Sequence, residues 1–477
     1  MPTENPKPKT QNGLFRVVTF GCKVNQVDSA GLSQQLVRRG WLAAPKGAAP
    51  DLLLVNTCTV TGRADQQARQ AIRRLAREHP GRPLWVTGCY AQRAPREVAA
   101  LPGVQAVFGN LEKARLGEML AAQLIPGAGA LLPNPAAGSS FSLSPLMGEG
   151  GGGGEITKSL IYVGDYSQGE VFHPWRLQPF PGHTRAWLKI QEGCNHRCTY
   201  CIVPRVRGPR RSLEPAQVAS SLEELGTWGY REVVLTGVDL GQYGQDLNPA
   251  GSLAGLVAQL KQRTLPFRVR LSSLEPQEVT PALLQGLASW ANFCPHLHLP
   301  LQSGAAAVLS AMGRPYGPHE FQDLVWEIHR TFPQAALGLD VLVGFPGETA
   351  ADFEATCALV ASLPVTYLHV FPFSPRPGTP AARMQPLPGR EIRLRAQIVR
   401  ELGQRKKLAF LQTQLGQVRQ VLVEGPAPRK GWLQGLSDNY VRVVFPGPQE
   451  WRNRLIPVHL EKVVGELLVA QVASAKD

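Results

Sequence analysis

The segment AWLKIQEGCNHRCTYC (186–201) joins a short apolar run to three closely spaced cysteines. Its apolar part has the length and composition of a buried strand, and it opens a series of six such runs separated by stretches with helical spacing of apolar residues. Six βα units are fewer than the eight of a closed barrel, so the sequence predicts an open, partial (βα)6 TIM-like barrel. The six strand candidates are AWLKIQ (186–191), EVVLTG (232–237), FRVRLSS (267–273), HLHLPL (296–301), LGLDVLVGF (337–345) and TYLHVFPF (366–373).

The cysteines of this segment, Cys194, Cys198 and Cys201, have the spacing C-x3-C-x2-C. Three thiolates on one tight loop can bind three irons of a [4Fe–4S] cluster and leave the fourth iron without a protein ligand. An open iron is what a cluster needs in order to coordinate and reduce a small molecule. Structural zinc is the alternative, but it requires four ligands, and His196, the available fourth, lies between two of the cysteines in a cramped position.

Residues 14–125 show a second alternation of strands and helices. Three apolar runs, LFRVVTF (14–20), DLLLVNT (51–57) and PLWVTG (83–88), alternate with helical stretches near 26–39 and 63–79. This order is typical of a parallel α/β sheet, and we predict a flavodoxin-like domain.

A cysteine follows each of these three runs: Cys22, Cys58 and Cys89. Because the carboxyl ends of parallel strands meet at one edge of a sheet, we expect the three thiols to converge there. Three thiols without an obvious fourth ligand again predict a [4Fe–4S] cluster with an open iron. A lone cysteine is more often a small buried hydrophobe, and this interpretation applies to Cys294 and Cys357.

The rest of the chain differs in composition from these two regions. Residues 126–180 are rich in glycine and proline and include five consecutive glycines, which predicts a linker or insertion with at most one short ordered piece. Residues 390–408 have the pattern of a basic amphipathic helix. Alternating valines and leucines at 416–470, with turn residues between them, predict a small β-barrel.

The composition limits the class of protein. The 477 residues suffice for two to four domains, and the 43% of hydrophobic residues can fill sizeable cores. Lys and Arg number 50 against 36 Asp and Glu, and the net charge of +14 is a weak indication of a polyanionic partner. Eight cysteines are too few for a disulfide scaffold, no apolar run has the length of a membrane span, and the N-terminus lacks an apolar signal core. We therefore expect a cytoplasmic protein.

Nine motifs occur in order along the chain: TFGCKVNQVDS (19–29), NTCTVT (56–61), TGCYAQ (87–92), GCNHRCTYCIVPRVRGPRRS (193–212), LTGVDLGQYG (235–244), RLSSLEP (270–276), HLPLQSG (298–304), DVLVGFPGET (340–349) and FPFSPRPGTPA (371–381). In these motifs the sequence resembles the tRNA methylthiotransferases of the radical S-adenosylmethionine (SAM) superfamily, from about residue 14 to residue 470. The residues GCKVNQ in the first motif and NTCTVT in the second resemble those of the MtaB-like branch, which acts on N6-threonylcarbamoyladenosine in tRNA.

The resemblance implies an N-terminal methylthiotransferase domain (14–125), the linker or insertion (126–180), a radical SAM domain (181–408) and a C-terminal TRAM domain (409–472). It implies SAM and two [4Fe–4S] clusters, of which the one on the 193–201 loop would cleave SAM to a radical and the other would carry sulfur. The implied reaction is methylthiolation of C2 of N6-threonylcarbamoyladenosine at tRNA position 37. The implied partners are the tRNA anticodon stem-loop, an electron donor of reductase or flavodoxin type and a sulfur donor, with no membrane association.

Further site residues follow from the same resemblance. No general acid or base is expected, because hydrogen abstraction by a radical needs none. The expected cofactor contacts are Tyr200, Gly237, Ser272, Glu275, Gln302 and Asp340. For each of these residues, ordinary packing or a turn or strand-cap role is the alternative. A basic loop follows the cysteine segment, and its expected phosphate contacts are Arg205, Arg207, Arg210 and Arg211. The C-terminal barrel is a further RNA-binding candidate, with Asn439, Tyr440 and Arg442 between its strands.

Other functions remain open at this point. Within the family, the substrate could be isopentenyladenosine in tRNA or a ribosomal protein side chain. A different class of function is a zinc-containing RNA-binding protein without catalysis, but zinc prefers closed four-ligand sites and neither cysteine triple offers one.

Overall fold

The computed structural model describes residues 13–116, 159–166, 172, 175 and 182–473. The described residues fall into two compact units, and each unit is described by itself below. The first unit lies within Met1–Gln178 together with Ile202–Pro209, and the second within Pro179–Cys201 together with Arg210–Asp477. Most of the predicted linker (126–180) lies outside the described residues.

The first unit is built on a parallel sheet with the strand order β2-β1-β3-β4-β5-β6. Its first five strands follow the flavodoxin-like order 2-1-3-4-5, which confirms the predicted fold class. The sixth strand lies within the range that we assigned to the linker. The strands are β1 (Leu14–Thr19), β2 (Leu42–Ala43), β3 (Leu52–Thr57), β4 (Leu84–Gly88), β5 (Val104–Phe108) and β6 (Leu160–Tyr162).

Helices cover the sheet of the first unit, and all six residues of β3 are buried, as expected for a strand with both faces covered. The hydroxyl of Thr61 accepts a hydrogen bond from the backbone N–H of Ala64 and so caps the second helix. The helices are α1 (Lys23–Arg38), α2 (Gly62–Glu78), α3 (Cys89–Arg93), α4 (Pro95–Ala99) and α5 (Val203–Arg207).

The second unit contains the six predicted strands, all parallel within two three-stranded sheets, β11-β10-β7 and β12-β13-β14. Between the two sheets the backbone N–H of Leu274 donates to the carbonyl of His298 at 3.0 Å. This arrangement confirms the partial barrel. The strands, including the short antiparallel pair β8 and β9, are β7 (Arg185–Lys189), β8 (Gln191–Glu192), β9 (Arg211–Ser212), β10 (Glu232–Thr236), β11 (Arg268–Leu271), β12 (His296–Gln302), β13 (Ala336–Val343) and β14 (Tyr367–Pro372).

Helices connect these strands, as expected from the helical spacing of apolar residues between the six strand candidates. The basic helix predicted at 390–408 is longer than expected and runs to residue 413. The helices are α6 (Pro215–Thr227), α7 (Leu253–Leu260), α8 (Pro281–Ala288), α9 (Ala306–Ala311), α10 (Pro318–Thr331), α11 (Ala350–Ser362) and α12 (Gly389–Thr413). Among the described residues, none of the helices combines the length and the apolar character that a bilayer crossing requires.

The last strands of the second unit form a closed barrel with the order β15-β16-β17-β19-β18. Two arginines of β11 attach it to the partial barrel: Arg268 donates to the carbonyls of Gln420 and Leu436, each at 2.8 Å, and Arg270 donates to that of Ser437 at 3.2 Å. The strands of the closed barrel are β15 (Val418–Pro426), β16 (Trp432–Ser437), β17 (Arg442–Pro446), β18 (Leu455–Val464) and β19 (Leu467–Val472).

Candidate cysteine sites

The loop that carries Cys194, Cys198 and Cys201 follows strand β8 and is held by Gln191. The side-chain amide of Gln191 donates to the carbonyl of Gly193 at 2.8 Å, and its oxygen accepts the backbone N–H of Asp239 at 2.7 Å. One side chain therefore ties the cysteine loop to the loop after β10. Gly237 lies in that second loop, where a Cβ atom would come within 2.8 Å of the Gln191 oxygen. The Gln191 side chain fills the space that a Cβ atom would need, so a residue without a Cβ at position 237 lets the two loops approach this closely.

Carboxylates and a histidine surround Cys194. Its thiol donates to Asp239 Oδ2 at 3.3 Å, and His196 Nε2 lies 3.2 Å from both Asp239 Oδ2 and Glu278 Oε1. His196, the residue that a closed zinc site would need, is thus bound to carboxylates. Burial and the charge of Glu278 raise the pKa of Asp239 from 3.8 to about 7. The hydrogen bond to Glu278 raises the pKa of His196.

Two oxygens of this group, Asp239 Oδ1 and Glu278 Oε2, are buried and accept no hydrogen bond from any described residue. Because an unmatched buried acceptor is costly, such atoms indicate a ligand with N–H donors or positive charge. SAM has both an amino group and a sulfonium, so the residues present fit SAM bound next to the three thiols.

Arg314 connects Cys198 to Glu275. Its Nη1 lies 3.2 Å from Cys198 Sγ and 3.3 Å from Glu275 Oε1, and its Nε donates to the Tyr316 hydroxyl at 3.0 Å. The structure therefore places the predicted residue Glu275 close to the cysteine loop. Sequence reasoning missed Arg314, because a single arginine between a glycine and a proline has no distinguishing pattern. Only the three-dimensional structure identifies Arg314, as a buried cation next to the Cys198 thiol.

The other predicted cofactor residues are more dispersed. Tyr200 packs edge-on against Phe345 with ring centroids 6.4 Å apart, and the Ser272 hydroxyl is buried without a partner among the described residues. Gln302 ends β12 with a φ of +64°, a conformation unusual for a residue other than glycine. Asp340 is engaged elsewhere, since its Oδ1 lies 2.8 Å from His298 Nε2. Glu275 therefore lies next to the cysteine loop through Arg314, whereas Asp340 pairs with His298.

The second triple follows adjacent strands of the first unit. Cys22 precedes α1, Cys58 follows β3 and Cys89 begins α3 after β4, and β1, β3 and β4 are neighbours in the sheet. At Gly21, where φ is +98°, a Cβ atom would lie 2.9 Å from Cys58 Sγ. Burial, and then the charges of Cys89 and Cys22, raise the pKa of Cys58 to about 12. The three thiols are therefore close enough to interact.

Asn25 links the loops that carry two of these cysteines. Its side-chain amide donates to the carbonyl of Phe20 at 2.7 Å and to that of Thr57 at 3.0 Å, just before Cys22 and Cys58. Cys58 and Cys89 are buried, whereas Cys22 is exposed. A tied set of thiols with one exposed edge fits three ligands of a [4Fe–4S] cluster whose fourth iron is open.

The expected RNA contacts divide into exposed and buried residues. Arg205 is exposed, and Arg210 is partly exposed with its guanidinium 2.7 Å from Gln245 Oε1. Arg207 and Arg211 are buried, with 3% and 8% of their surface exposed. A buried guanidinium cannot reach a phosphate on the protein surface, so we remove both residues from the RNA set and retain Arg205 and Arg210.

Two of the three expected RNA contacts in the C-terminal barrel have side chains that pack against other residues of the second unit. Asn439 is fully buried and donates to Gln414 Oε1 at 2.8 Å. Tyr440, with a φ of +69°, stacks on His296 with ring centroids 4.1 Å apart. Arg442 is exposed. The first two side chains therefore pack within the second unit, and Arg442 remains available at its surface.

Comparisons with known proteins identify the family. Residues 15–109 match the model described as "Uncharacterized protein family UPF0004", and residues 188–360 match the Radical SAM superfamily. The threonylcarbamoyladenosine tRNA methylthiotransferase MtaB of Bacillus subtilis is 32% identical, with 93% of each chain covered. The tRNA-2-methylthio-N(6)-dimethylallyladenosine synthase of Pelotomaculum thermopropionicum is 31% identical, covering 93% of this chain and 94% of that protein.

A solved structure supports the fold independently. The radical SAM methyltransferase TsrM from Kitasatospora setae aligns with a TM-score of 0.53 at 16% identity and covers 77% of each chain. This likeness concerns the fold alone. Together with the relatives above 30% identity, it agrees with the resemblance seen in the motifs. The chain belongs to the radical SAM methylthiotransferase family, whose enzymes use SAM and a [4Fe–4S] cluster.

Proposed function

We propose that this enzyme attaches a methylthio group to C2 of N6-threonylcarbamoyladenosine at tRNA position 37, beside the anticodon. The observation that carries the proposal is the 32% identity, over 93% of both chains, to a relative named for this modified nucleoside. The first two motifs of the sequence point to the same branch. Membership of an enzyme family argues against the non-catalytic zinc alternative.

In this proposal, the loop with Cys194, Cys198 and Cys201 holds the cluster to which SAM binds. With SAM, that group supplies the reducing and radical chemistry that removes hydrogen from an unreactive carbon. Gln191 keeps the loop in register with the loop after β10. The unmatched oxygens of Asp239 and of Glu278 accept N–H groups of SAM or face its positive charge. These residues bind and orient the cofactor, and none of them needs to move a proton.

We assign a second [4Fe–4S] cluster to Cys22, Cys58 and Cys89. The support is their convergence at one sheet edge and the exposed position of Cys22, which leaves an edge of the site open to a sulfur source. The buried pair Cys58 and Cys89 fixes the group, while Asn25 keeps two of the cysteine loops together. The role of this site is to hold the sulfur that is transferred.

The proposed macromolecular partner is the anticodon stem-loop of tRNA, bound by the exposed cations Arg205 and Arg442 and the partly exposed Arg210. The net charge of +14 agrees with a polyanionic partner. An electron donor of reductase or flavodoxin type and a sulfur donor complete the proposed system, which we place in the cytoplasm.

The affinity for tRNA is expected to fall steeply as salt concentration rises, because phosphate contacts release bound counterions. Fluorescence anisotropy with a labelled anticodon stem-loop, measured between low and physiological salt, gives the slope of log K against log salt. The change Arg205→Gln should reduce that slope by about one unit. Glu223→Gln, on an exposed helix position of the second unit, serves as the control with an unchanged or slightly steeper slope. A flat salt response would argue against a phosphate-dominated interface.

Mass spectrometry of tRNA nucleosides from cells with and without the gene tests the reaction itself. We expect the 2-methylthio derivative of N6-threonylcarbamoyladenosine to disappear when the gene is removed and to return on complementation. Relatives named dimethylallyladenosine synthases are nearly as similar, at 31% identity, so the isopentenyl nucleoside is the second candidate. If only the methylthio derivative of the isopentenyl nucleoside disappeared, that nucleoside would be the substrate. An unchanged nucleoside profile would contradict both candidate substrates.

A further inference from the structure

Helix α5 (Val203–Arg207) directly follows Cys201 in the chain, yet it packs within the first unit. Ile202 and Val206 form an apolar cluster with Cys89. The carbonyl of Val206 accepts a hydrogen bond from the side-chain amide of Asn110, and the same amide nitrogen lies 3.8 Å from Cys89 Sγ. The residues that follow the SAM-site cysteines therefore form part of the wall around a thiol of the other site.

The last residue of α5, Arg207, contacts helix α1, which begins directly after Cys22. Its guanidinium donates to Asn25 Oδ1 and, at 3.3 Å, to Asp28 Oδ2. Asn25 in turn holds the carbonyls just before Cys22 and Cys58. Because an amide oriented by a guanidinium cannot rotate freely, Arg207 fixes the side chain that ties the two cysteine loops together.

The charge of Arg207 acts on the first cysteine site as well as on Asp28. Arg207 and Lys113 are 3% and 2% exposed, and both bind the carboxylate of Asp28, Lys113 with Nζ 2.9 Å from Oδ2. A buried cation favours the charged form of a thiol near it, because little water is present to screen the attraction. The charge of Arg207 acts on Cys58, and Cys89 and Lys113 also interact. The two cations therefore stabilise thiolates at the first cysteine site.

We propose that Arg207 is a positioning residue of the site formed by Cys22, Cys58 and Cys89: it fixes two cysteine loops through Asn25, and its charge offsets that of the thiolates and the group they bind. This inference rests on the proposed second cluster. It gives Arg207 a role in a cofactor site in place of the RNA contact expected from its neighbours in the sequence.

The test uses the full chain with Cys194, Cys198 and Cys201 changed to alanine, so that only the first site can bind a cluster. In this background Arg207→Met and Arg207→Lys are reconstituted anaerobically with iron and sulfide. The matched control is Arg205→Met, which removes an exposed cation from the same helix. Iron retention is measured by competition with a chelator, and the midpoint potential is measured by titration followed by electron paramagnetic resonance.

Arg207→Met is expected to weaken iron retention about 10–100-fold, as loss of an outer-shell partner does, and to move the midpoint potential to more negative values. Arg207→Lys keeps the charge without the planar fork, so retention should fall while the potential stays close to that of the parent. Arg205→Met should match the parent in both measurements. Equal retention and equal potential in Arg207→Met and Arg205→Met would overturn the proposal.

Further measurements distinguish a failure of the positioning role of Arg207 from misfolding of the variant and from absence of the proposed second cluster. Circular dichroism of the metal-free variants checks the fold. If Arg207→Met does not fold, Asn25→Ser keeps the ion pair with Asp28 and removes only the link to the loops. Asn25→Ser should then weaken iron retention, and unchanged retention would overturn the positioning role. A background protein that binds no iron at all would contradict the second cluster itself.

Discussion

Replacing Cys194 by alanine is expected to abolish SAM cleavage, whereas replacing Cys58 should spare part of the cleavage and stop formation of the methylthio product. The two cysteines lie in different units of the protein, and each supplies one of three thiols in its site. A cluster held by only two protein ligands loses the geometry that presents its open iron, and iron itself is readily lost. The difference between the two variants therefore separates the roles of the two sites.

The experiment follows 5′-deoxyadenosine and the modified nucleoside by liquid chromatography after anaerobic reconstitution. About four irons should be lost per disrupted site, which an iron determination verifies. Cys357→Ala is the matched control, because this partly exposed cysteine belongs to neither triple and should behave like the parent. Methylthio product from Cys58→Ala would show that the first site does not carry the sulfur. Undiminished SAM cleavage by Cys194→Ala would remove that residue from the SAM site.

The fold was largely predictable because it depends on local patterns. Short apolar runs predicted the six strands of the partial barrel, and β-α alternation predicted the parallel sheet of the first unit. The two cysteine triples were found because they follow strand ends, whose position in a parallel sheet is known in advance. Strand β6 was placed in the linker range, since an apolar strand of only three residues is too short to stand out from the glycine- and proline-rich sequence around it.

The side chains that tune the sites were not predictable in the same way. Arg207 binds Asn25 and Asp28, which lie 182 and 179 residues away in sequence, so no local pattern links them. The basic loop after the cysteines suggested a uniform RNA-binding role, but burial separates Arg207 from Arg205 two residues earlier. Arg314 is a similar case, because its contact with Cys198 spans 116 residues.

Glu232→Gln is expected to lower the free energy of unfolding of the second unit by about 3–5 kcal/mol, the cost of breaking a buried ion pair. Glu232 is fully buried, with its carboxylate 2.7 Å from Arg268 Nε and 2.9 Å from Arg270 Nε. Those arginines also donate to carbonyls of the C-terminal barrel. The variant keeps the shape of the side chain but leaves two buried guanidinium groups without a countercharge, so the attachment of the barrel weakens too.

Urea unfolding followed by circular dichroism measures the effect. The matched control is Glu223→Gln, since Glu223 pairs with Arg263 on the surface, where 61% and 45% of the side chains are exposed. An exposed pair contributes at most about 1 kcal/mol, so the control should remain close to the parent. Equal losses in the two variants would show that Glu232 does not stabilise the arrangement through its buried charge.

The stability of the folded state is also expected to depend on pH through Glu232. Burial alone would raise the pKa of Glu232, but the charges of Arg270 and Arg268 outweigh it and lower that pKa from 4.5 to about 2. A depressed pKa stabilises the folded state fully above the unfolded value, and this contribution is lost as pH falls from about 4.5 towards 2. Because Glu232→Gln cannot titrate, the stability difference between parent and variant should shrink over that interval. A difference that stays constant down to pH 2 would mean that the carboxylate is not held charged by the two arginines.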